Sequence, residues 1–128
     1  MLTMILQIKA GKPENQMLLS NPFPLEVRLL YLGHWRCFLC GSNGWERGGL
    51  EIHHILGRIS GSAFNSSCLC NYCHSHMGHS QEENRKIFLK TLEFLFNKEY
   101  IIKEEDIVFL RENEKELIGE EAKKWLKL

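Results

Sequence analysis

Every histidine and every cysteine of the chain falls between residues 34 and 79. Cys37 and Cys40 stand in CFLC, Cys70 and Cys73 stand in CNYC, and Cys68 is left over. Two residues between cysteines let one tight turn present two thiolates along an edge of a tetrahedron. A second such knuckle completes a four-sulfur structural zinc site. Gly41, directly after the second cysteine, suits a knuckle that needs a permissive backbone. A redox pair would need a thioredoxin-like strand-to-helix context, which is not expected at either knuckle. The odd count and this spacing fit metal binding in a reducing compartment better than a secreted disulfide framework. Cys68 reads as a small buried hydrophobe. It is also a substitute for Cys70, but Cys70 keeps the two-residue spacing.

Between the knuckles lies EIHHILGR, residues 51–58, with two adjacent histidines. A strand sends neighbouring side chains to opposite faces, so His53 and His54 are expected to do different jobs. Asn65 follows at a short loop distance, and His74 comes directly after Cys73. Any one of these residues alone is more often packing or surface. Together and in this order they form a composite pattern.

Residues 37–79, with LEIHHILGR, Asn65 and CNYCH in sequence, resemble an HNH endonuclease of the ββα-metal type, in the subclass that carries a four-cysteine zinc site. The flanks carry no such likeness. The resemblance implies that His53 and His74 are ligands of a catalytic divalent ion, Mg²⁺ or Mn²⁺, with other divalent ions as alternatives. It implies that His54 is the general base and that Asn65 holds the loop so that the base stays oriented. The chemistry needs this division, because phosphodiester hydrolysis requires a base for water and a cation for the charge on phosphate and leaving oxygen. Neutral imidazole is the available form near pH 7. Coupling Cys73 to His74 would let the zinc knuckle brace the helix that delivers a ligand.

Family members often carry a further ligand one helical turn after the position of His74. Here the fourth residue on is Gly78, and His79 is taken as the third ligand, with His76 the other candidate. A site with two protein ligands and several waters also fits magnesium. Arg58 is the expected phosphate contact, Arg36 and Arg47 are weaker candidates, and His34 is expected to be structural or exposed. Trp35 and Trp45 are expected to cover the zinc. The implied substrate is DNA, with RNA the alternative, and the implied products are a 5′-phosphate and a 3′-hydroxyl. Small proteins of this kind resemble phage or mobile-element nucleases.

The 128 residues make one domain's worth of chain, and formal charge is zero, with sixteen basic and sixteen acidic residues. No basic stripe advertises a nucleic-acid surface, so phosphate attraction must be local to a site. Neutral charge and small size favour the competing reading, a non-catalytic zinc-ribbon module that binds nucleic acid or protein. A degenerate nuclease kept as an accessory is a third. No apolar run approaches the roughly 20 residues of a membrane span. The opening MLTMILQI lacks a basic leader, so the expectation is an intracellular, cytoplasmic protein.

The expected fold class is α+β: a ββα-metal, treble-clef-like zinc-braced core with an N-terminal strand and a helical C-terminal extension. The expected divisions are 1–24, a strand at 2–9 and a connector with Pro22 and Pro24; 25–80, the core; and 81–128, the extension. Within these, a short helix is expected over 25–33, with Val27, Leu30 and Tyr31 on one stripe, and a strand over 49–55. Residues 57–67 read as loop. Ser80 and Glu83 form a capping-box pattern opening a helix to Asn97, with Phe88, Leu92, Leu95 and Phe96 as its apolar stripe. Short helices follow at 104–113 and 120–126. The acidic C-terminal helices are a partner or dimer surface, or else a solvated face.

Overall fold

The computed structural model describes residues 23–34 and 36–118. The strand expected at 2–9, Pro22, Trp35 and the helix expected at 120–126 lie outside the described residues. The elements are α1 (Leu25–Leu30), β1 (Leu50–His54), a 3₁₀ turn (Ala63–Asn65), β2 (Ser66–Cys70), α2 (Asn71–His76), α3 (Gln81–Asn97), α4 (Glu104–Glu112) and α5 (Glu114–Leu117). The protein is thus α+β. Among the described residues no helix is long and apolar enough to cross a membrane.

β1 and β2 form a two-stranded sheet. Asn71 N–H donates to Gly49 O at one end (2.9 Å) and Ile55 N–H to Asn65 O at the other (2.8 Å). Those pairings make the strands antiparallel and place Ile52 opposite Cys68. On β1, Leu50 and Ile52 are buried while Glu51 and His53 are half-buried, the alternation a strand dictates. β2, in contrast, is buried along its whole length. The loop expected over 57–67 is therefore corrected at its end, where the 3₁₀ turn and the start of β2 lie. Ser-Ser-Cys has no β-branched or aromatic residue, and a strand buried on both faces has no alternation to read.

The described residues divide into two compact units, those within 23–53 with 68–76, and those of 54–67 with 77–118. In the first, α1 ends at Leu30, earlier than the expected Gly33. Tyr31 N–H donates to Arg28 O (3.1 Å) and Leu32 N–H to Leu29 O (3.2 Å), and Gly33 takes φ 82°, which leads the chain away from the helix. Phe23, Val27 and Tyr31 are buried with Cys37, Leu50, Ile52 and Leu69.

In the second unit, α3 begins and ends as the capping pattern requires. Ser80 Oγ accepts from Glu83 N–H (3.1 Å), and Glu83 Oε1 accepts from Ser80 N–H (3.4 Å). Its buried face is Ile87, Phe88, Thr91, Phe94 and Leu95, whereas Phe96 is 83% exposed and Leu92 half-buried. The expected stripe was thus rotated. Ile87, Thr91 and Phe94 follow the i, i+4, i+7 spacing, and a threonine in that row hides it from a search for apolar residues. Thr91 is buried because Oγ1 donates to Ser66 O (2.7 Å), tying α3 to β2. α5, an extra single turn after Asn113, was not foreseen.

Candidate functional site

Cys37, Cys40, Cys70 and Cys73 bring their sulfurs together, all within 4.8 Å of one another. Zinc–sulfur bonds of about 2.3 Å set tetrahedral edges of about 3.8 Å, and Cys40 Sγ lies 3.8 Å from Cys70 Sγ. The four can hold a metal ion such as zinc. Local backbone geometry builds each knuckle. Gly41 N–H donates to Cys37 O and Cys37 N–H to Ser42 O (both 2.9 Å), which closes the first turn. Gly41 sits at φ 74°, a conformation that a side chain would strain. Phe38 N–H donates to Cys68 O (2.7 Å), so the first knuckle hangs on β2. Asn71 N–H on Gly49 O and Tyr72 N–H on Arg47 O fix the second. Cys68 stays outside the cluster as a fully buried thiol whose pKa burial pushes up.

Sulfurs this close cannot all ionise without a cation among them, so their pKa values are driven apart. Burial works against ionisation of Cys40, but the Ser42 hydroxyl and backbone N–H, with the sulfurs of Cys73 and Cys37, bring it down to about 6. Burial and then Cys70 push Cys73 up to about 12. Four thiolates around a divalent ion would leave an excess of negative charge, and Arg47 meets it. Its Nε donates to Cys70 Sγ (3.4 Å), Nη2 reaches toward Cys73 Sγ (3.8 Å), and the guanidinium lies over the Tyr72 ring (4.1 Å). Arg47 was expected to be a weak phosphate candidate, and its partners here are sulfur and an aromatic face. A cation directly before the Gly48–Gly49 pair gives no sign of that in sequence. Arg36 is also engaged, donating from Nη1 to Gly41 O (3.2 Å). Trp45, expected to cover this site, is 59% exposed.

The histidines separate by environment. His53 and His74, from β1 and α2, have ring centroids 4.2 Å apart. Glu51 shares the face of His53 two residues away, and its Oε2 is 3.7 Å from His74 Nδ1. A carboxylate beside one imidazole nitrogen orients the ring and leaves the other nitrogen for a metal. Glu51 was overlooked in the sequence, although the spacing Glu-x-His on a strand puts both residues on one face.

His54 falls on the Leu50–Ile52 side of β1 by strand alternation, and it is half-buried. Burial, and after it the charge of Arg58, holds its pKa below the usual histidine range. Asn65 is fully buried and closes the loop that follows. Its Oδ1 accepts from Leu56 N–H (3.0 Å), and its Nδ2 donates to Gly57 O (3.0 Å) and Ser60 O (2.9 Å). Arg58 is exposed on that loop.

The remaining histidines are differently employed. His34 Nε2 lies 2.6 Å from Arg36 O, and the ring packs edge-on against Tyr31 and Phe38, a structural role. His76 Nδ1 lies 2.8 Å from Tyr72 O with its ring stacked on Tyr72. His79 is exposed and sits at φ 54°. Among the described residues, only the four cysteines bring three or more metal-ligating groups together. In comparisons with protein-family models, curated proteins and solved structures, none matched this chain.

Proposed function

We propose that this protein is a metal-dependent endonuclease of the HNH type, hydrolysing phosphodiester bonds in DNA, with its ββα-metal core braced by zinc on Cys37, Cys40, Cys70 and Cys73. The observation that carries the reading is the approach of the His53 and His74 rings, one from the strand and one from the helix directly joined to a zinc knuckle. The order β1, β2, α2, with adjacent histidines on the first strand and a histidine on the helix, is the arrangement such a core needs.

His53 and His74 would hold Mg²⁺ or Mn²⁺, and Glu51 orients His74. The bound ion would supply charge neutralisation at the phosphate and the leaving oxygen. His54 takes the proton from water at its neutral ring nitrogen. A pKa below the usual range keeps that form populated at neutral pH, and Asn65 holds the turn after it in one shape. Arg58, exposed four residues after His54, pairs with a phosphate oxygen. His79 would be the third ligand, although among the described residues it joins no group of three metal-ligating side chains.

The test is cleavage of supercoiled plasmid by fully zinc-loaded protein with Mg²⁺, Mn²⁺ or Ni²⁺. Nicking that EDTA abolishes, and that His54→Ala removes while zinc content and fold persist, is the expected result. If no divalent ion supports cleavage of DNA or RNA, the chain is a zinc-bearing binding module.

A further inference from the structure

Asp106, on α4, is fully buried, and the catalytic scheme above leaves it without a task. A carboxylate withdrawn from water is tolerated only when donors surround it. Three do here. Ser62 Oγ donates to Oδ1 (2.5 Å), while Tyr100 Oη (2.6 Å) and Lys103 N–H (2.9 Å) donate to Oδ2. The Lys103 bond caps α4, and the Tyr100 bond ties in the segment before it. The Ser62 bond reaches 44 residues back along the chain, to the loop after β1.

Ser62 is a junction in that loop. Its Oγ accepts from Phe64 N–H (3.2 Å), its carbonyl accepts from Asn65 N–H (2.9 Å), and its N–H donates to Ser60 Oγ (3.1 Å). Asn65 then spans the loop to Leu56, Gly57 and Ser60, and Ile55 N–H and Gly57 N–H return to Asn65 O and His54 O. Phe64 packs edge-on against Tyr100, so the apolar and polar contacts fasten the same turn. All these residues belong to one compact unit.

We propose that Asp106 is a positioning residue of the nuclease, acting through Ser62 and the Asn65-closed loop to hold His54 and Arg58 in place. This rests on the nuclease reading. It makes the C-terminal helices part of the catalytic apparatus, since α4 supplies the fixed point against which the loop is tensioned.

Ser62→Ala removes the link to Asp106 and leaves the Tyr100 and Lys103 bonds in place, and Ser62→Thr restores the hydroxyl. Asp106→Ala removes the link from the other side. Asp106→Asn is the conservative control: its oxygen serves the Tyr100 hydroxyl and the Lys103 N–H, and its amide N–H donates to Ser62 Oγ, so the link survives with its direction reversed.

With zinc-loaded protein below its melting temperature, Asp106→Ala and Ser62→Ala should each lower kcat at least ten-fold on plasmid DNA with KM within two-fold, and Asp106→Asn should lose less than either. The double variant should be no worse than the poorer single one, and Ser62→Thr should recover most of the loss. Amide exchange should quicken at Leu56 and Asn65 and not along α3, which separates a loosened loop from a destabilised protein. If the parent cleaves and Ser62→Ala keeps kcat within two-fold, the positioning role is wrong and the nuclease reading stands. If the parent cleaves nothing, both fall.

Discussion

Replacing Asn65 with alanine removes three hydrogen bonds from one buried side chain and is the sharpest test of how the loop after β1 is held. The lost partners are Leu56 N–H, Gly57 O and Ser60 O. Each bond contributes about 1 kcal/mol net, and a buried group left unpaired costs about 1–3 kcal/mol. Gly57 is exposed, and Leu56 and Ser60 are half-buried, so water can take over part of the bonding. The lower end applies, and the loss should be about 3 kcal/mol, or a fall in Tm of about 10 °C for a chain of this size. Asn113→Ala is the internal control, since its one bond, Nδ2 to Phe109 O, is part-buried and worth about 1 kcal/mol. Asn65→Asp keeps the acceptor for Leu56 but turns an oxygen toward two carbonyls, so at pH 7 it should be no milder than alanine. Urea unfolding followed by circular dichroism, at constant zinc content, measures all three. An Asn65→Ala loss no greater than that of Asn113→Ala would refute the bracing argument.

Cys40→Ser should drop bound zinc well below one equivalent by elemental analysis and unfold the knuckles, because a four-cysteine site supplies on the order of 10 kcal/mol of folding free energy. Arg47→Ala should leave zinc stoichiometric but speed its release to a chelator several-fold, followed with a colorimetric zinc indicator. Arg47→Lys should recover only part of that, since an ammonium cannot address two sulfurs and a ring together. The backbone N–H of Ser80 is the main cause that lowers the Glu83 pKa below 4.5. The carboxylate cap therefore contributes fully above pH 4.5 and is lost as pH falls through the lowered value. Glu83→Gln should flatten that part of the Tm profile between pH 3 and 6.

Features carried by short-range spacing were legible. The paired cysteines, the Ser80–Glu83 cap and the end of α3 at Asn97 each depend on residues within one turn of each other. Features carried by burial on both sides were not. Ser66, Ser67 and Thr91 are fully buried polar residues, and nothing local separates a serine in a core strand from a serine in a loop. The candidate site divides in the same way. His53, His54, Asn65 and His74 stand out by order in the chain. Glu51, Arg47 and Asp106 matter through partners that only folding brings near, 23, 23 and 44 residues away for His74, Cys70 and Ser62 respectively. The rotated stripe of α3 shows the same limit, because a hydrogen-bonded Thr91 occupies a position where an apolar residue was sought.

The chain enters the second unit twice, first with residues 54–67 and again from residue 77 onward. During synthesis the early segment leaves the ribosome well before Thr91 and Asp106, the side chains that anchor it. A chain ending near residue 80 would therefore carry all four clustered cysteines yet lack the Thr91 and Asp106 anchors of the turn closed by Asn65. Shortening this protein to its motif would keep the four sulfurs and discard those anchors.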